Sequence, residues 1–234
     1  MKDELKNRIN NLIIYTKAKS IFEKTLFEGN FIKVIQEKYL LPNNIEIVRE
    51  RIVKNQNKSA VIIVPMTSDG KVLLVSQNRV GSNVSIEFPS GYIENGEEVL
   101  EVAARELKEE TGYAGINLEI IDKYCPMVGI DNSTIYIVVA YGCVKKYVEN
   151  LSSDEYILYN KFTYTEVQEL IDNNLINSGG TKLAFYKLEK LLLQRENEIE
   201  EKVMADYNKV IKRLADQENE DIEKTCNYLK TYKL

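Results

Sequence analysis

The sequence of 234 residues contains no histidine. Without an imidazole, the protein cannot use histidine as a catalytic base, as a triad member or as a metal ligand. Cysteine is scarce as well, and the three cysteines, Cys125, Cys143 and Cys226, have no paired spacing. This pattern argues against a disulfide or a zinc site and predicts reduced thiols in a cytoplasmic protein. Carboxylates therefore have to carry any catalysis.

Long apolar runs are also absent. No stretch approaches the ~20 apolar residues of a membrane span, and residues 1–19 carry no secretory signal. With 44% hydrophobic residues, the chain can bury one substantial core. Its formal net charge of -5 argues against a large nucleic-acid footprint and favours a small anionic substrate held through a metal ion.

One segment combines an apolar face with an acidic one. Between Glu97 and Thr111 there is no glycine or proline, and the apolar residues recur at helical spacing: Leu100, Ala103, Ala104 and Leu107. On the other face Glu106, Glu109 and Glu110 are three and four residues apart, so their carboxylates can converge. Converging carboxylates repel one another unless a cation is bound, and oxygen ligands suit Mg²⁺ or Mn²⁺. The alternative interpretation is a solvated charged helix face.

The residues around this helix follow a fixed pattern. They fit G-x5-E-x7-R-E-(aliphatic)-x-E-E-x-G without a gap, with the fixed identities at Gly91, Glu97, Arg105, Glu106, Glu109, Glu110 and Gly112. A chance match is expected at on the order of one in a billion starting points. The pattern resembles the signature of the Nudix hydrolases. The resemblance implies an α/β fold, the Nudix α/β/α sandwich with a mixed sheet between helices.

The resemblance also implies roles for residues around the helix. Glu106, Glu109 and Glu110 are expected to hold Mg²⁺ or Mn²⁺, and in the family a backbone carbonyl next to the first glycine, here that of Ser90 or Gly91, is a further ligand. Arg105 follows Glu101 by four residues and Glu97 by two helical turns, so we expect it to orient carboxylates without touching the substrate.

Two shorter motifs are similar to elements of the ADP-ribose pyrophosphatase branch of the Nudix enzymes. They are Gln77-Asn78-Arg79, for Q-x-R, and Glu87-Phe88-Pro89-Ser90-Gly91, for E-(apolar)-P-(small)-G. The likeness implies that Arg79 and Glu87 are substrate-binding residues, since a guanidinium suits phosphate recognition. The alternative for Arg79 is an ordinary surface arginine at the end of a strand. The chain departs from the branch at Val128 and Ser133, where proline and glutamate are usual, which puts ADP-ribose itself in doubt as the substrate.

The catalytic base is expected in a late acidic loop. Glu155 is the best positional match in the ADP-ribose branch, Asp154 and Glu149 are its neighbours, and Glu109 is the fallback candidate. A short acidic loop can equally be a solvated surface segment. In the family, early strands help form a homodimer, and aromatics there can stack on the nucleobase. Phe27 or Phe31 are candidates for this role, although buried core aromatics are the favoured interpretation.

Apolar runs rich in Ile, Val and Tyr predict four strands around the acidic helix, at residues 60–66, 71–77, 116–125 and 133–144. The first two are separated by Ser-Asp-Gly, which predicts a hairpin. Thr163 and Glu166 have the spacing of a capping box, which predicts a helix to about Asn173. A second helix is expected near Thr181.

The chain is expected to comprise three parts. These are an N-terminal accessory helix (1–20), the Nudix domain (21–193) and a C-terminal accessory helical extension (194–234). We predict a Mg²⁺-dependent hydrolase that cleaves the pyrophosphate of a nucleoside diphosphate linked to a group X, with ADP-ribose or another nucleotide sugar as the leading substrate. Nucleoside triphosphates, dinucleoside polyphosphates and capped RNA remain open as substrates. A nucleotide-binding sensor without turnover and a structural scaffold are the alternatives from other classes.

Overall fold

The computed structural model describes residues 2–54, 59–79, 83–152 and 156–231. Within these ranges the chain forms fifteen elements, and their bounds in chain order are α1 Asp3–Thr16, β1 Lys19–Glu28, β2 Ile32–Leu40, β3 Glu46–Lys54, β4 Ala60–Thr67, β5 Val72–Arg79, β6 Asn83–Glu87, β7 Ser90–Tyr92, α2 Val99–Thr111, β8 Tyr113–Ala114, β9 Asn117–Tyr124, β10 Ile135–Lys145, β11 Ile157–Phe162, α3 Tyr164–Asp172 and α4 Gly179–Thr231. The chain divides into two compact units, Met1–Phe185 and Tyr186–Leu234. The domain boundaries at residues 20 and 193 stay predictions.

The main sheet has the strand order β11-β5-β4-β10-β8, with β6 beside β5, β7 beside β4 and β9 beside β10. Strand β10 pairs with β4 in parallel, whereas β5 and β7 pair with β4 antiparallel. The predicted mixed sheet is therefore confirmed. The predicted hairpin is also present, because Thr67 N donates to Lys71 O at 2.8 Å and Gly70 has the positive φ of +74° that glycine tolerates.

Strand β4 carries helices on both of its faces. Val61 and Ile63 belong to the buried cluster that includes Val102 and Leu107 of α2. Ile62 lies between them in the strand and so faces the opposite side. A Cβ atom placed on Gly180 of α4 would lie 2.7 Å from Ile62 Cδ1, so the start of α4 packs against this opposite face. The sheet thus lies between helices.

The apolar face of α2 differs from the face that the sequence predicted. Ala103 and Leu107 are fully buried as expected, but Leu100 and Ala104 are exposed and Val102 is buried in their place. The prediction was wrong for Leu100 and Ala104 because the sheet covers the side of the helix that is centred on Val102 and Ala103, and Leu100 and Ala104 lie outside the covered side. The helix begins at Val99, two residues later than expected. The helix ends at Gly112, whose N–H donates to Lys108 O at 2.8 Å.

Replacing Gly112 by alanine is expected to lower the free energy of unfolding by about 2–4 kcal/mol. Gly112 has a φ of +67°, and its added Cβ would lie 2.3 Å from the backbone oxygen of Tyr147. That oxygen cannot move aside easily, because Lys146 N and Tyr147 N both donate to Gly112 O. Gly70→Ala is the matched control, since it has a φ of +74° but open space around the new Cβ. Urea denaturation of both variants measures the difference, and equal losses would show that backbone strain alone accounts for the effect.

Strands β1, β2 and β3 form a separate antiparallel sheet. Every residue of β1 is exposed, and Phe27 and Phe31 are 55% and 84% exposed. The interpretation of Phe27 and Phe31 as buried core aromatics was therefore wrong. Phe27 lies in β1, the edge strand of this sheet, and Phe31 lies in the connection to β2. The physical reason is that the described part of one chain covers neither side chain.

The helices after the main sheet begin as the sequence predicted. Thr163 Oγ1 accepts from Glu166 N at 3.2 Å and the Glu166 carboxylate accepts from Thr163 N, which confirms the capping box. Helix α3 ends at Asp172, and α4 begins at Gly179 and continues through residue 194 to Thr231 without a break. Over the part of the chain that the structure describes, no helix combines the length and apolar character that crossing a membrane requires.

Candidate active site

A pocket of about 770 Å³ lies where β4, β5 and β7 meet the polar face of α2. Seven of the residues that the sequence predicted for the site line it: Arg79, Glu87, Ser90, Glu97, Arg105, Glu106 and Glu110. These residues come from β5, β6, β7, the turn before α2 and α2 itself. The hairpin and the Nudix motif, which are separate in the sequence, therefore form one site.

Two carboxylates of α2 face the pocket. Glu110 is only 4% exposed, and its Oε2 accepts a hydrogen bond from Ser90 N at 3.3 Å. Glu106 lies directly over Gly91, because a Cβ atom added to Gly91 would lie 2.0 Å from Glu106 Oε1. Gly91 is thus required by the close approach of the Glu106 carboxylate, not by a positive φ. The β7 backbone thus holds Glu110 by a hydrogen bond and lets the Glu106 carboxylate lie close to the strand.

Arg105 is hydrogen-bonded to three carboxylates. Its Nη1 donates to Glu106 Oε1 at 2.8 Å and to Glu109 Oε2 at 3.2 Å, and its Nε donates to Glu97 Oε1 at 3.3 Å. Partial burial by itself lowers the pKa of Arg105, but the charge of Glu106 and the hydrogen bonds to Glu97, Glu106 and Glu109 outweigh it and raise the pKa. Arg105 therefore stays protonated and holds these carboxylates in place.

Arg79 is held at the pocket wall by Glu87. Its Nε and Nη2 donate to the two oxygens of Glu87 at 3.2 and 3.0 Å, and Nη2 lies 3.5 Å from Ser90 Oγ. Burial by itself lowers the pKa of Arg79, but the hydrogen bond to Glu87 and the charges of Glu87 and Glu110 raise it overall. Such a two-point contact fixes the plane of the guanidinium at the pocket wall.

The donor chemistry of the pocket fits a hard divalent cation. Glu106 and Glu110 provide oxygen ligands, and the space over Gly91 is already shaped around the Glu106 carboxylate. Across the described ranges, no group of three acidic or cysteine side chains is already arranged as a metal site. The reason lies partly in Glu109, which does not line the pocket and whose Oε2 accepts from Arg105.

Of the remaining predicted residues, some do not line the pocket and two are outside the described part of the chain. Phe27 and Phe31 do not line the pocket of their own chain. Glu155, the favoured base, lies outside the described residues, as does Asp154. Glu149 forms an ion pair with Lys145, whose Nζ also donates to Thr111 O at 2.8 Å, so Glu149 lies near the end of α2 and away from the pocket.

The pocket also contains residues to which the sequence assigned no role. These include Lys54, Gln77, Tyr92, Glu94, Tyr124 and Thr181. Lys54 Nζ lies 3.9 Å from Asp131 Oδ2 and 5.5 Å from the centre of the Tyr92 ring, and it adds a cation to the pocket. Thr181 Oγ1 accepts from Phe88 N at 3.3 Å and so joins α4 to the loop before β7. Gln77 stands in the Q-x-R motif, which is the one local signal that pointed to this group of residues.

Comparison with known proteins gives the family of this chain. A family model described as "NUDIX domain" matches residues 56–207. The chain belongs to the Nudix family. It is 30% identical over 177 residues to a methanol dehydrogenase activator of Bacillus methanolicus, and 30% identical over 175 residues to an ADP-ribose pyrophosphatase of Bacillus subtilis (strain 168). Each alignment covers 74% of this chain and 93% of the relative.

A solved structure shows the same fold. The crystal structure of an ADP compounds hydrolase superposes with a TM-score of 0.69 at 25% sequence identity, over 76% of this chain and 96% of the other. The Nudix resemblance and the Nudix sandwich predicted from the sequence are thus confirmed. The predicted enzyme class, a Nudix pyrophosphohydrolase, is confirmed by the same family match and relatives.

Proposed function

We propose that this Nudix enzyme hydrolyses the pyrophosphate bond of a nucleoside diphosphate linked to a group X. Water attacks one phosphorus, the bond to the bridging oxygen breaks, and the products are a nucleoside monophosphate and a phosphorylated X. ADP-ribose or another nucleotide sugar is the leading substrate. The observation that carries this proposal is the presence of Glu106, Glu110 and Arg79 in one pocket of about 770 Å³. The relatives whose names specify ADP-ribose pyrophosphatase and ADP compounds hydrolase support it.

Glu106 and Glu110 would hold Mg²⁺ or Mn²⁺, with the Ser90 carbonyl and Glu109 as further candidate ligands. A bound ion of this kind would neutralise negative charge on the phosphates and lower the pKa of the water molecule that it binds. The protein's own contribution is the fixed position of the carboxylates. Arg105 restrains Glu106 and Glu109, and the β7 backbone restrains Glu110 through Ser90 N.

The cations of the pocket support an anionic substrate. Arg79 is held in plane by Glu87 and is positioned to bind a phosphate. Lys54, the last residue of β3, lines the same pocket. A guanidinium has five N–H donors and an ammonium has three, so Arg79 and Lys54 keep donors for phosphate oxygens beyond their contacts with Glu87 and Asp131. The identity of the catalytic base, Glu155 or Glu109, stays a prediction.

The test is the Mg²⁺-dependent release of monophosphate from a panel. The panel contains ADP-ribose, other nucleotide sugars, a dinucleoside polyphosphate and a nucleoside triphosphate, each measured with and without EDTA and with Mn²⁺ in place of Mg²⁺. We expect the highest kcat/KM for ADP-ribose or another nucleotide sugar. Preference for a dinucleoside polyphosphate or a triphosphate would replace the substrate class. Nucleotide-induced thermal stabilisation without turnover would indicate the sensor instead.

We also propose that the enzyme is a cytoplasmic homodimer formed through β1. All ten residues of β1 are exposed, and the exposed set includes Phe22, Leu26 and Phe27. An exposed apolar edge strand is a surface that proteins usually cover. Light scattering after gel filtration is expected to give twice the 27.0 kDa mass of one chain. A mass of one chain at micromolar concentration would exclude a stable dimer.

A further inference from the structure

The side chain of Gln77 lines the candidate active site, and its amide nitrogen has no hydrogen-bond partner among the described residues. Gln77 lies in β5, and its Nε2 is shielded from solvent yet donates to no atom in the described part of the chain. Buried polar groups in folded proteins are almost always paired. An unpaired buried amide costs free energy of folding, so an apolar side chain of similar size would be more stable at this position. The presence of glutamine therefore requires another explanation.

The backbone of Gln77 is held firmly on both sides. In the register of the sheet it lies opposite Ile157 of β11 and opposite Ser85 of β6, and both of these residues are buried. A strand paired on both edges cannot shift easily. The amide is thus presented to the pocket from a rigid support, which is the arrangement expected of a preorganised binding group.

Gln77 lies two residues before Arg79, so both side chains leave the strand on the same face. Arg79 is engaged by Glu87 and is electrostatically coupled to Glu110, so this part of the wall adjoins the carboxylates of α2. Glutamine supplies a neutral donor and a neutral acceptor. A ligand oxygen beside Arg79 can satisfy this amide, whether it belongs to a phosphate or to a sugar hydroxyl.

We propose that the Gln77 amide is a substrate-binding group that hydrogen-bonds an oxygen of the bound nucleotide next to Arg79. The inference rests on the proposed function and deepens it, because it names a residue that selects oxygen-rich pyrophosphate substrates. The hydrogen bond that is missing in the ligand-free protein forms in the complex. Gln77 thus lowers the stability of the folded protein and raises its affinity for the substrate.

Replacing Gln77 by methionine tests the proposal, because methionine keeps the length and removes the hydrogen-bonding groups. We expect kcat/KM for the preferred substrate to fall about tenfold, mainly through KM. The melting temperature of the ligand-free variant should equal or exceed that of the wild type. Saturating AMP or ribose 5-phosphate should raise the melting temperature of the variant less than that of the wild type. A larger reduction with AMP would show that the bound oxygen belongs to the nucleoside side of the substrate, and a larger reduction with ribose 5-phosphate would show that it belongs to the X side.

Gln168→Met is the matched control. Gln168 lies in α3 away from the pocket, and its Nε2 donates to Asp172 Oδ1 at 2.8 Å. This variant should keep the wild-type kcat/KM, and its melting temperature should not rise, since a hydrogen bond is lost. The two glutamines are therefore expected to differ in both measurements.

A Gln77→Met variant with wild-type kcat/KM and unchanged stabilisation by AMP and ribose 5-phosphate would overturn the proposal. A lower melting temperature of the ligand-free variant with unchanged KM would show a structural role instead, and would overturn it too. If the wild type hydrolyses no member of the substrate panel and none of the probes stabilises it, the proposed function fails first. Turnover by the wild type together with an unaffected variant refutes the Gln77 proposal alone.

Discussion

Replacing Glu110 by glutamine is expected to lower kcat for the preferred nucleotide substrate roughly 100-fold or more, since even groups that only support metal ligands are worth 10–100-fold. The carboxylate of Glu110 is buried in the pocket and is fixed by Ser90 N. Glutamine has almost the same shape but no charge, so it can keep that contact while it weakens cation binding. Initial rates at saturating substrate and Mg²⁺ measure the loss.

The same variant has a second expected result that a misfolded protein would not give. Removing one of two neighbouring negative charges, those of Glu106 and Glu110, should leave the melting temperature of the metal-free protein unchanged or raise it. The stabilisation by Mg²⁺ should disappear. Glu101→Gln is the matched control, because Glu101 lies on α2, is exposed and does not line the pocket. Activity of Glu110→Gln within a few fold of the wild type would remove Glu110 from the catalytic machinery.

Replacing Gly91 by alanine is expected to lower turnover by roughly 100-fold while most of the stability is kept. The new Cβ would lie 2.0 Å from Glu106 Cδ and Oε1, an impossible contact. These atoms are the end of a flexible side chain, so the Glu106 carboxylate can rotate away at moderate cost in free energy. It then leaves the position in which Arg105 holds it. Activity and the melting temperature, measured on the same preparation, separate the two effects.

A double-mutant cycle shows whether Gly91→Ala acts through Glu106. If it does, Gly91→Ala and Glu106→Gln combined should be little less active than the worse single variant, because both remove the same carboxylate. Additive losses would indicate that alanine disturbs another part of the pocket. Gly129→Ala is the control, since its added Cβ would meet no atom within 4 Å. It should leave both activity and stability close to those of the wild type.

Local patterns in the sequence predicted the elements that form the site. The fixed spacing of the Nudix motif predicted α2 and the positions of Glu106 and Glu110 on its polar face. The two apolar runs and the Ser-Asp-Gly turn between them predicted the hairpin of β4 and β5, and capping-box spacing predicted the start of α3 at Thr163. These features depend on residues close together in the chain, whose preferences act over a few ångströms.

Features that depend on distant partners were predicted less well. The buried side of α2 is centred on Val102 and Ala103, because the sheet determines which side of the helix is covered. Leu100 has the same helical spacing as Ala103 and Leu107, but its side chain is exposed. Phe27 was interpreted from the sequence as a core residue, but every residue of β1 is exposed. Spacing along the chain cannot reveal which of several apolar faces a neighbouring element will cover.

The sequence by itself determined the family, the carboxylate chemistry and, through the absence of histidine, the types of residue available for catalysis. Only the tertiary structure decided which side chains share the pocket. It placed Lys54 of β3 and Thr181 of α4 beside the motif and directed Glu109 toward Arg105. It also left Gln77 Nε2 without a hydrogen-bond partner in the described part of the chain. The physical reason is that hydrogen bonding and burial are properties of three-dimensional neighbours, which strand pairing brings together from positions far apart in the chain.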